Sequence, residues 1–184
     1  MPLQYNSPPH LNAPLAHGEI LFNLLELAVV PSDVETLHNE KKSPQVIRRT
    51  HPFALIISQE CDLDWDWKYR TSVEVTRKDE KDERKWLPYV QFCDMFLKED
   101  VRWKRGFNSA LWTRVTSNQD ERYLKFEQAQ IDNVGDQIPE LFVDFKRVFS
   151  MPTDYVYWLI SSNYSIRKAI IPDPYIPSHS QRAS

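Results

Sequence analysis

The hydrophobic residues of this chain fall into short continuous runs and alternations, a pattern that predicts β-strands rather than amphipathic helices. The clearest run covers residues 53–57, Phe-Ala-Leu-Ile-Ile, and is bounded by Pro52 and by the polar residues 58–60. Residues 18–30 form a second apolar run that fits a buried strand or a short hairpin, with a helix as the alternative. Residues 141–149 alternate between apolar and charged positions, which is typical of a half-buried strand.

Weaker patterns predict the remaining elements. Residues 71–77 alternate and are rich in β-branched side chains, which favours a strand. Residues 86–92 are a further strand candidate, and Pro88 places it at a sheet edge. The other predictions are a polar loop or short helix over 32–45, a solvated loop over 78–85, two strands around a turn over 111–126, and a segment, 155–160, that is either a core strand or a helix capped by Thr153 or Asp154.

Short connections between these segments imply that neighbouring strands run antiparallel. The predicted fold class is therefore mainly β (α+β), a single antiparallel β-barrel or rolled sheet with one or two short helices. Prolines and polar residues mark both ends of the chain. We expect an irregular N-terminal arm over residues 1–17, one globular β-rich domain over 18–172 and a flexible C-terminal tail over 173–184.

Composition supports a folded domain and narrows its setting. With 184 residues, of which 41% are hydrophobic, the chain can bury a core, and this excludes wholesale disorder. No apolar run approaches the roughly 20 residues of a membrane span, and the start of the chain lacks the pattern of a secretory signal. Two cysteines without an export signal favour a reducing cytoplasm. The net charge of −3 argues against coating a polyanion but allows a local basic patch.

One unusual motif, Ser58-Gln59-Glu60-Cys61-Asp62, directly follows the most apolar strand. The end of a buried strand is a favoured place for a site, because the strand fixes the polar residues and the loop exposes them. Cys93 lies in the same Gln-x-Cys-Asp frame as Cys61. Three interpretations of Cys61 are open.

In the first interpretation, Cys61 is a nucleophile with His51 or His17 as its base. Asp62 or Glu60 would then orient that base. Neighbouring carboxylates raise the pKa of a thiol, and this weakens the interpretation.

In the second interpretation, Cys61 and Cys93 bind zinc together with one or two histidines from His17, His38 and His51. Thiolate and imidazole are ligand types that zinc prefers, but the close Cys-x-x-Cys spacing of structural zinc sites is missing. Zinc is the one cofactor that the sequence suggests, and otherwise no cofactor is expected.

In the third interpretation, Cys61 is a small buried residue without chemistry. Ser58 and Gln59 would then satisfy backbone groups at the end of the strand. Free cysteine is among the most frequently buried residue types, so this interpretation is preferred.

Aromatic and basic residues form a second kind of candidate site. Two tryptophans alternate within residues 64–70 and would lie on one face of an extended segment. Residues 101–108 interleave basic and aromatic side chains, and Gly106 allows close approach of a phosphate. Such side chains can stack on bases of a single strand. Packing in the core is nevertheless the preferred interpretation of the alternating tryptophans, and a solvated loop with one buried tryptophan is preferred for 101–108. The candidate binding residues are Trp65, Trp67, Arg102, Trp103 and Arg105.

The segment Ser58–Leu63 resembles a Ser-Gln-(Asp/Glu)-Cys-Asp motif found in a group of small prokaryotic and phage-associated proteins, where it follows an apolar strand. Residues 118–126, 139–149 and 174–182 are also similar to that group. The group has no assigned activity. The resemblance implies a bacterial protein from a mobile-element or defence setting and indicates no particular chemistry.

A second similarity is to MazF/PemK-type toxins, compact barrels that cut RNA. Gly18-Glu19-Ile20, the pair Arg48-Arg49, and the strand that begins after Pro52 and ends in Ser58 follow the order of features in that family. The resemblance implies a toxin–antitoxin-like barrel with an arginine in its site. The sequence departs from the family at Thr50-His51, which separates the arginines from Pro52, and in its long C-terminal half.

Two functions compete on these observations. In the preferred one, the protein is a binding module for nucleic acid or a partner protein and uses the aromatic and basic candidate residues. In the alternative, a small RNA-cleaving or hydrolytic enzyme uses residues 58–62 with His51 and with Arg48 or Arg49. The binding module is preferred because the sequence specifies no acid–base pair by its spacing.

Overall fold

The computed structural model describes residues 5–30, 45–71, 86–104, 106–131 and 137–171. The strands in these ranges are β1 (Glu19–Val30), β2 (Gln45–Ile56), β3 (Tyr89–Leu97), β4 (Tyr123–Phe126), β5 (Ala129–Gln130), β6 (Gln137–Ile138), β7 (Leu141–Pro152) and β8 (Ile166–Ile170). The helices are α1 (Glu60–Thr71), α2 (Lys98–Lys104), α3 (Ser109–Thr116) and α4 (Thr153–Ser161).

Six of the strands form one antiparallel sheet in the order β4-β7-β3-β2-β1-β8, and β5 pairs with β6 in a separate ladder. The prediction of a mainly β fold with antiparallel neighbours is confirmed. In the described ranges the order ends at β4 and β8, which do not pair with each other, so closure into a barrel is not confirmed.

Both faces of the sheet are buried, which explains why its central strands are apolar without interruption. Leu55 pairs with Cys93, and both belong to a core cluster on one face together with Val143. Ile56 pairs with Phe92, and both belong to a second cluster on the other face. Helices α1 and α4 contribute apolar side chains to this second cluster and so cover that face.

The hairpin of β1 and β2 extends beyond its neighbours. The two strands pair continuously to Val30 and Gln45, but β8 pairs with β1 only over residues 19–22 and β3 pairs with β2 only over 53–56. Within the described residues, the outer half of the hairpin therefore has no strand on either side. Its exposed apolar side chains are Leu27, Val46 and Ile47.

Two segments for which strands were predicted are helices. Residues 111–115 lie in α3, because the side-chain oxygen of Asn108 accepts a hydrogen bond from the N–H of Leu111 at 2.9 Å and so caps a helix. Residues 155–160 lie in α4, which was the alternative prediction. Thr153 does not cap that helix, since the N-cap is Pro152, without a side-chain capping bond.

The edge position predicted from Pro88 is wrong. Pro88 comes just before β3 and removes no donor from its ladder, so β3 can lie between β7 and β2. Four helices occur in the described ranges where one or two were predicted. None of them is long and apolar enough to cross a membrane. Apart from their end residues Gln45 and Thr71, the segments predicted over 32–45, 71–77 and 78–85 lie outside the described residues, as does the tail over 173–184.

Residues 5–17 lie outside the helices and strands and are attached to the sheet through Arg167 of β8. The buried guanidinium of Arg167 pairs with Glu19, at 2.5 Å for Nε–Oε1 and 2.7 Å for Nη2–Oε2. Its other N–H groups donate to the carbonyl oxygens of His10 at 2.9 Å and Pro14 at 2.6 Å. One buried arginine therefore fixes both the end of the sheet and the segment that precedes it.

Candidate functional site

A row of acidic and basic side chains crosses four neighbouring strands, with the buried His51 of β2 at its centre. Nδ1 of His51 lies 2.5 Å from Oδ1 of Asp94 in β3, and Nε2 lies 3.2 Å from Oε2 of Glu26 in β1. The imidazole stacks on Phe149 of β7 at a centroid distance of 4.0 Å. Because both ring nitrogens face carboxylates and one ring face is covered, His51 is held in one orientation.

An arginine lies at each end of this row of side chains. Nη1 of Arg49 lies 3.1 Å from Glu26, and Nε of Arg147 lies 3.2 Å from Oδ2 of Asp94. The structure thus brings together two predicted catalytic residues, His51 and Arg49, through carboxylates that the sequence analysis did not single out. We call the five residues the His51 network: Arg49, Glu26, His51, Asp94 and Arg147.

The predicted cluster Ser58–Asp62 lies elsewhere, at the start of α1. Cys61 is exposed, and its Sγ lies 3.8 Å from Oδ1 of Asp62. Oε2 of Glu60 accepts a hydrogen bond from the backbone N–H of His17 at 2.6 Å. In the described part of the chain no imidazole contacts the thiol, so these residues come together without a base for Cys61.

The preferred interpretation of Cys61 as a buried residue is wrong, because helix α1 begins at Glu60 and leaves this side chain on its exposed first turn. The companion prediction for Ser58 is confirmed. Its Oγ accepts a hydrogen bond from the N–H of Gln91 at 2.9 Å, which joins the end of β2 to β3.

The zinc interpretation depends on thiols that can ionise. Cys93 is buried in the core, and this burial raises its thiol pKa to about 12, with the carboxylates of Asp144 and Asp94 adding to the effect. A protonated thiol is a poor metal ligand. Among the described residues no three His, Cys, Asp or Glu side chains are grouped so as to hold a metal, so Cys61, Cys93 and His51 do not come together as ligands. His38 lies outside the described residues.

The predicted aromatic and basic residues fall into separate places. Trp65 and Trp67 do not share one face, because their segment is helical; Trp65 is exposed, and Trp67 packs against Tyr157 at 5.6 Å. Arg102 and Trp103 belong to α2. The side chains of Arg102 and Trp103, and the whole of Arg105, lie outside the described part of the chain.

A pocket of about 510 Å³ has Phe107, the residue after Gly106, in its lining. Gly106 has a φ of +61°, a left-handed conformation that glycine adopts without strain, and it directs the chain into α3. Phe107 follows and packs edge-on against Tyr123 of β4 at 5.1 Å. We call the pocket the two-arginine pocket, after its four lining residues: Phe107, Arg122, Tyr123 and Arg147.

Arg122 is fixed by a buried carboxylate. Its Nε and Nη2 donate to the two oxygens of the fully buried Asp144 at 2.7 and 2.8 Å. This fork raises the pKa of Arg122 further above its usual range, so the guanidinium stays charged. Its plane lies 4.9 Å from the ring of Tyr123. Arg122 is 39% exposed at the side chain and keeps Nη1 without a partner among the described residues.

Arg147 connects the two-arginine pocket to the His51 network. Its Nε faces Asp94, which is itself held by His51, and its guanidinium lies 5.4 Å from the ring of Phe96. Its two terminal nitrogens have no partner in the described ranges, and the side chain is 48% exposed. The network therefore holds a guanidinium that contributes to the lining of the pocket.

Comparison of the chain with protein-family models, with curated proteins and with solved structures finds no match. A function for this protein therefore rests on the geometry of its sites alone.

The sequence analysis missed Arg122 and Arg147. Neither belongs to a motif, and the two are brought to one pocket by the pairing of β4 with β7. A signal was present in Asp144, a lone acidic residue within the apolar run 141–145, since a carboxylate at a buried strand position requires a basic partner.

Proposed function

We propose that the protein is a nucleic-acid-binding module that receives one phosphate and one base of a single strand in the two-arginine pocket. The observation that carries the proposal is that two guanidiniums, each fixed by a carboxylate, line one pocket with two aromatic rings. Arginine recognises phosphate through adjacent N–H groups, and aromatic rings stack on bases whatever their sequence.

Preorganisation favours binding at this pocket. Arg122 and Arg147 are held by Asp144 and Asp94, so a ligand does not have to order two flexible side chains. The same carboxylates cancel much of the local positive charge. Affinity from this pocket alone is therefore expected to be modest, and we propose that the basic residues of segment 101–105 add to it.

The setting of this activity follows the sequence predictions. A cytoplasmic bacterial protein from a mobile element would meet single strands during replication or transcription. Closure of the sheet into a barrel belongs to the same proposal, supported by the burial of both sheet faces.

The proposal is tested by fluorescence anisotropy with a labelled single-stranded RNA and DNA of mixed sequence, at about 50 and 200 mM salt. We expect binding that weakens with salt. Arg147→Gln is expected to lower affinity by roughly 5- to 150-fold, with a shallower salt dependence. Arg122→Lys keeps the charge but loses the fork to Asp144, so it should lower affinity as well.

The matched control is Arg114→Gln. Arg114 is similarly exposed, pairs with Asp120 at 3.6 Å and does not line the pocket. Its affinity should equal that of the unsubstituted protein. The proposal would be overturned if neither RNA nor DNA binds at low salt, or if the Arg114 and Arg147 variants lose equal affinity for them.

A partner protein is the second candidate ligand. The observation that favours it is the outer half of the β1–β2 hairpin, where Leu27, Val46 and Ile47 are exposed. The alternative of RNA cleavage is decided in the same binding reaction by gel analysis of the RNA. Intact RNA after prolonged incubation contradicts the enzyme, and cleavage that survives His51→Gln excludes His51 as its proton carrier.

A further inference from the structure

A second and larger pocket, of about 670 Å³, lies between α1, α4 and the segment that leads into β3. It shares no residue with the two-arginine pocket or with the His51 network, so a ligand in this pocket does not depend on the proposed function. We call it the Arg70 pocket, after the cation at its wall. Five aromatic side chains line it: Trp67, Tyr69, Trp86, Tyr157 and Trp158.

A buried carboxylate builds this pocket. Asp66 is almost fully buried in α1; its Oδ2 accepts from Nε of Arg70 at 2.5 Å, and its Oδ1 accepts from the N–H of Leu87 at 3.0 Å. The second bond fixes the backbone next to Trp86. The indole ring is thereby placed against the guanidinium of Arg70, at 4.0 Å from ring centroid to Cζ.

The aromatic rings hold one another as well as the arginine. Tyr69 meets Trp86 edge-on at 5.6 Å, and Trp67 packs on Tyr157 at 5.6 Å. The guanidinium of Arg70 also lies 5.7 Å from the ring of Tyr157. The planar cation is thus held against two aromatic rings.

One edge of the guanidinium has an exposed partner on one nitrogen and none on the other among the described residues. Nη1 contacts Asp154, whose side chain is 74% exposed and can leave without losing burial. Nη2 is shielded from water and has no hydrogen-bond partner among the described residues. An unpaired donor in such a place costs stability, so an acceptor that reaches this edge gains a hydrogen bond that water does not supply.

The local charge selects an uncharged acceptor. Asp66 and Asp154 already place two negative charges beside the single positive charge of Arg70. A phosphate or carboxylate ligand would add a third negative charge, whereas a carbonyl oxygen or a ring nitrogen would not. The aromatic walls favour a flat ligand that can lie on the indole in the same plane as the guanidinium.

We infer that the Arg70 pocket binds a nucleobase with two adjacent in-plane acceptors, the edge that guanine presents with O6 and N7. Nη1 and Nη2 of Arg70 donate to these two atoms when Asp154 moves aside, and the base stacks on the aromatic wall. Arginine reads guanine through this bidentate pair in nucleic acids. Adenine offers N7 beside an amino donor, so its edge fits only one of the two N–H groups.

The test is isothermal titration of the full chain with guanosine, 7-deazaguanosine and adenosine. Guanosine should bind, and removal of N7 should weaken binding by roughly 5- to 150-fold. Adenosine should bind more weakly than guanosine by a similar factor. Equal affinities for the three nucleosides, no detectable binding of guanosine, or preferential binding of a neutral hexose would each overturn the inference.

Three substitutions test whether guanosine binds in the Arg70 pocket. Trp86→Ala should abolish guanosine binding, whereas Trp65→Ala should not, because Trp65 is exposed on the same helix as Arg70 but does not line the pocket. Asp154→Asn removes the competing negative charge from an exposed side chain, so it should tighten binding. Unchanged affinity in Asp154→Asn contradicts the displacement of that carboxylate.

The source of the base is distinguished with the Arg147→Gln variant, in which the two-arginine pocket is impaired. If the natural ligand is a free nucleoside, guanosine should bind this variant normally, and a guanine-containing single strand should bind it no more tightly than an all-uridine strand does. A strand ligand predicts tighter binding of the guanine-containing strand than of an all-uridine strand. Failure of strand binding with retained guanosine binding contradicts the proposed function and leaves the Arg70 pocket supported.

Discussion

The buried carboxylates at the described sites each pair with an arginine, either on another segment or one turn along the same helix. Asp144 has no exposure and accepts from two N–H groups of Arg122, which fixes that guanidinium in the wall of the pocket. Asp94 does the same for Arg147, and Asp66 for Arg70. At the scale of single residues, the buried carboxylates act as positioning groups for three arginines.

The two cysteines are predicted to differ sharply in reactivity. Cys61 is exposed, whereas Cys93 is buried and its burial raises its thiol pKa to about 12. A thiolate-specific disulfide reagent such as Ellman's should therefore modify one thiol in the native protein and the second only after unfolding in urea. In Cys61→Ser the native reaction should disappear. Two reactive thiols in the folded state would contradict the burial of Cys93.

Among the elements, the strands were more predictable than the helices. The apolar parts of β1, β2 and β7 gave a pattern that favours a strand. Helices α3 and α4 span only 8 and 9 residues, too few for a helical period to stand out. In α1 a signal was present, since Asp64–Lys68 and Asp66–Arg70 are acid–base pairs at the i,i+4 spacing of a helix.

The sites were less predictable than the strands, for a reason that lies in the topology. The sequence identified His51 and Arg49 by residue type, but Arg122 and Arg147 meet only because β4 pairs with β7. The Arg70 pocket likewise needs Trp86, which is fixed across a gap in sequence by the bond from Leu87 to Asp66. Contacts between distant segments leave no local pattern, and no such contact could be read from spacing alone.

The attachment of residues 5–17 to the sheet through Arg167 should contribute to the stability of the fold. Arg167→Met leaves Glu19 buried without its cation, so it should lower the free energy of unfolding by about 3–5 kcal/mol in urea titrations. Glu19→Gln combined with Arg167→Met should be less destabilised than the single variant, because no unpaired charge is then buried. Arg114→Gln is the control. Loss of the exposed ion pair between Arg114 and Asp120 should lower the free energy of unfolding by less than about 1 kcal/mol. A loss as small as the control's would show that the pair is dispensable.

At the scale of the whole molecule, one core cluster contains two groups that lose a proton only in alkali. Cys93 of β3 and Tyr5 of the N-terminal segment both belong to the cluster on the face opposite α1 and α4. Burial raises the pKa of Cys93 from its ordinary 9.0 to about 12. Burial, with the carboxylate of Glu127, also raises the pKa of Tyr5 above its ordinary 10.0. The folded state therefore binds these protons more tightly than the unfolded chain does.

This difference predicts how the stability of the whole fold changes with pH. Below the unfolded pKa of each group both states hold the proton, and the stabilisation is fully present; as the pH rises through the window from about 9 to 12, the unfolded chain ionises first and stability falls. At about pH 10.5, Cys93 alone should account for a loss of about 2 kcal/mol relative to pH 8 in urea-unfolding free energy. Cys93→Ala should show a correspondingly smaller loss between the two pH values, and Tyr5→Phe should also reduce it, whereas Cys61→Ala, which removes the exposed thiol, should behave as the unsubstituted protein does. If Cys93→Ala and the unsubstituted protein lose equal stability, the thiol ionises as readily in the fold as outside it, and the packing of this core around Cys93 is not as described.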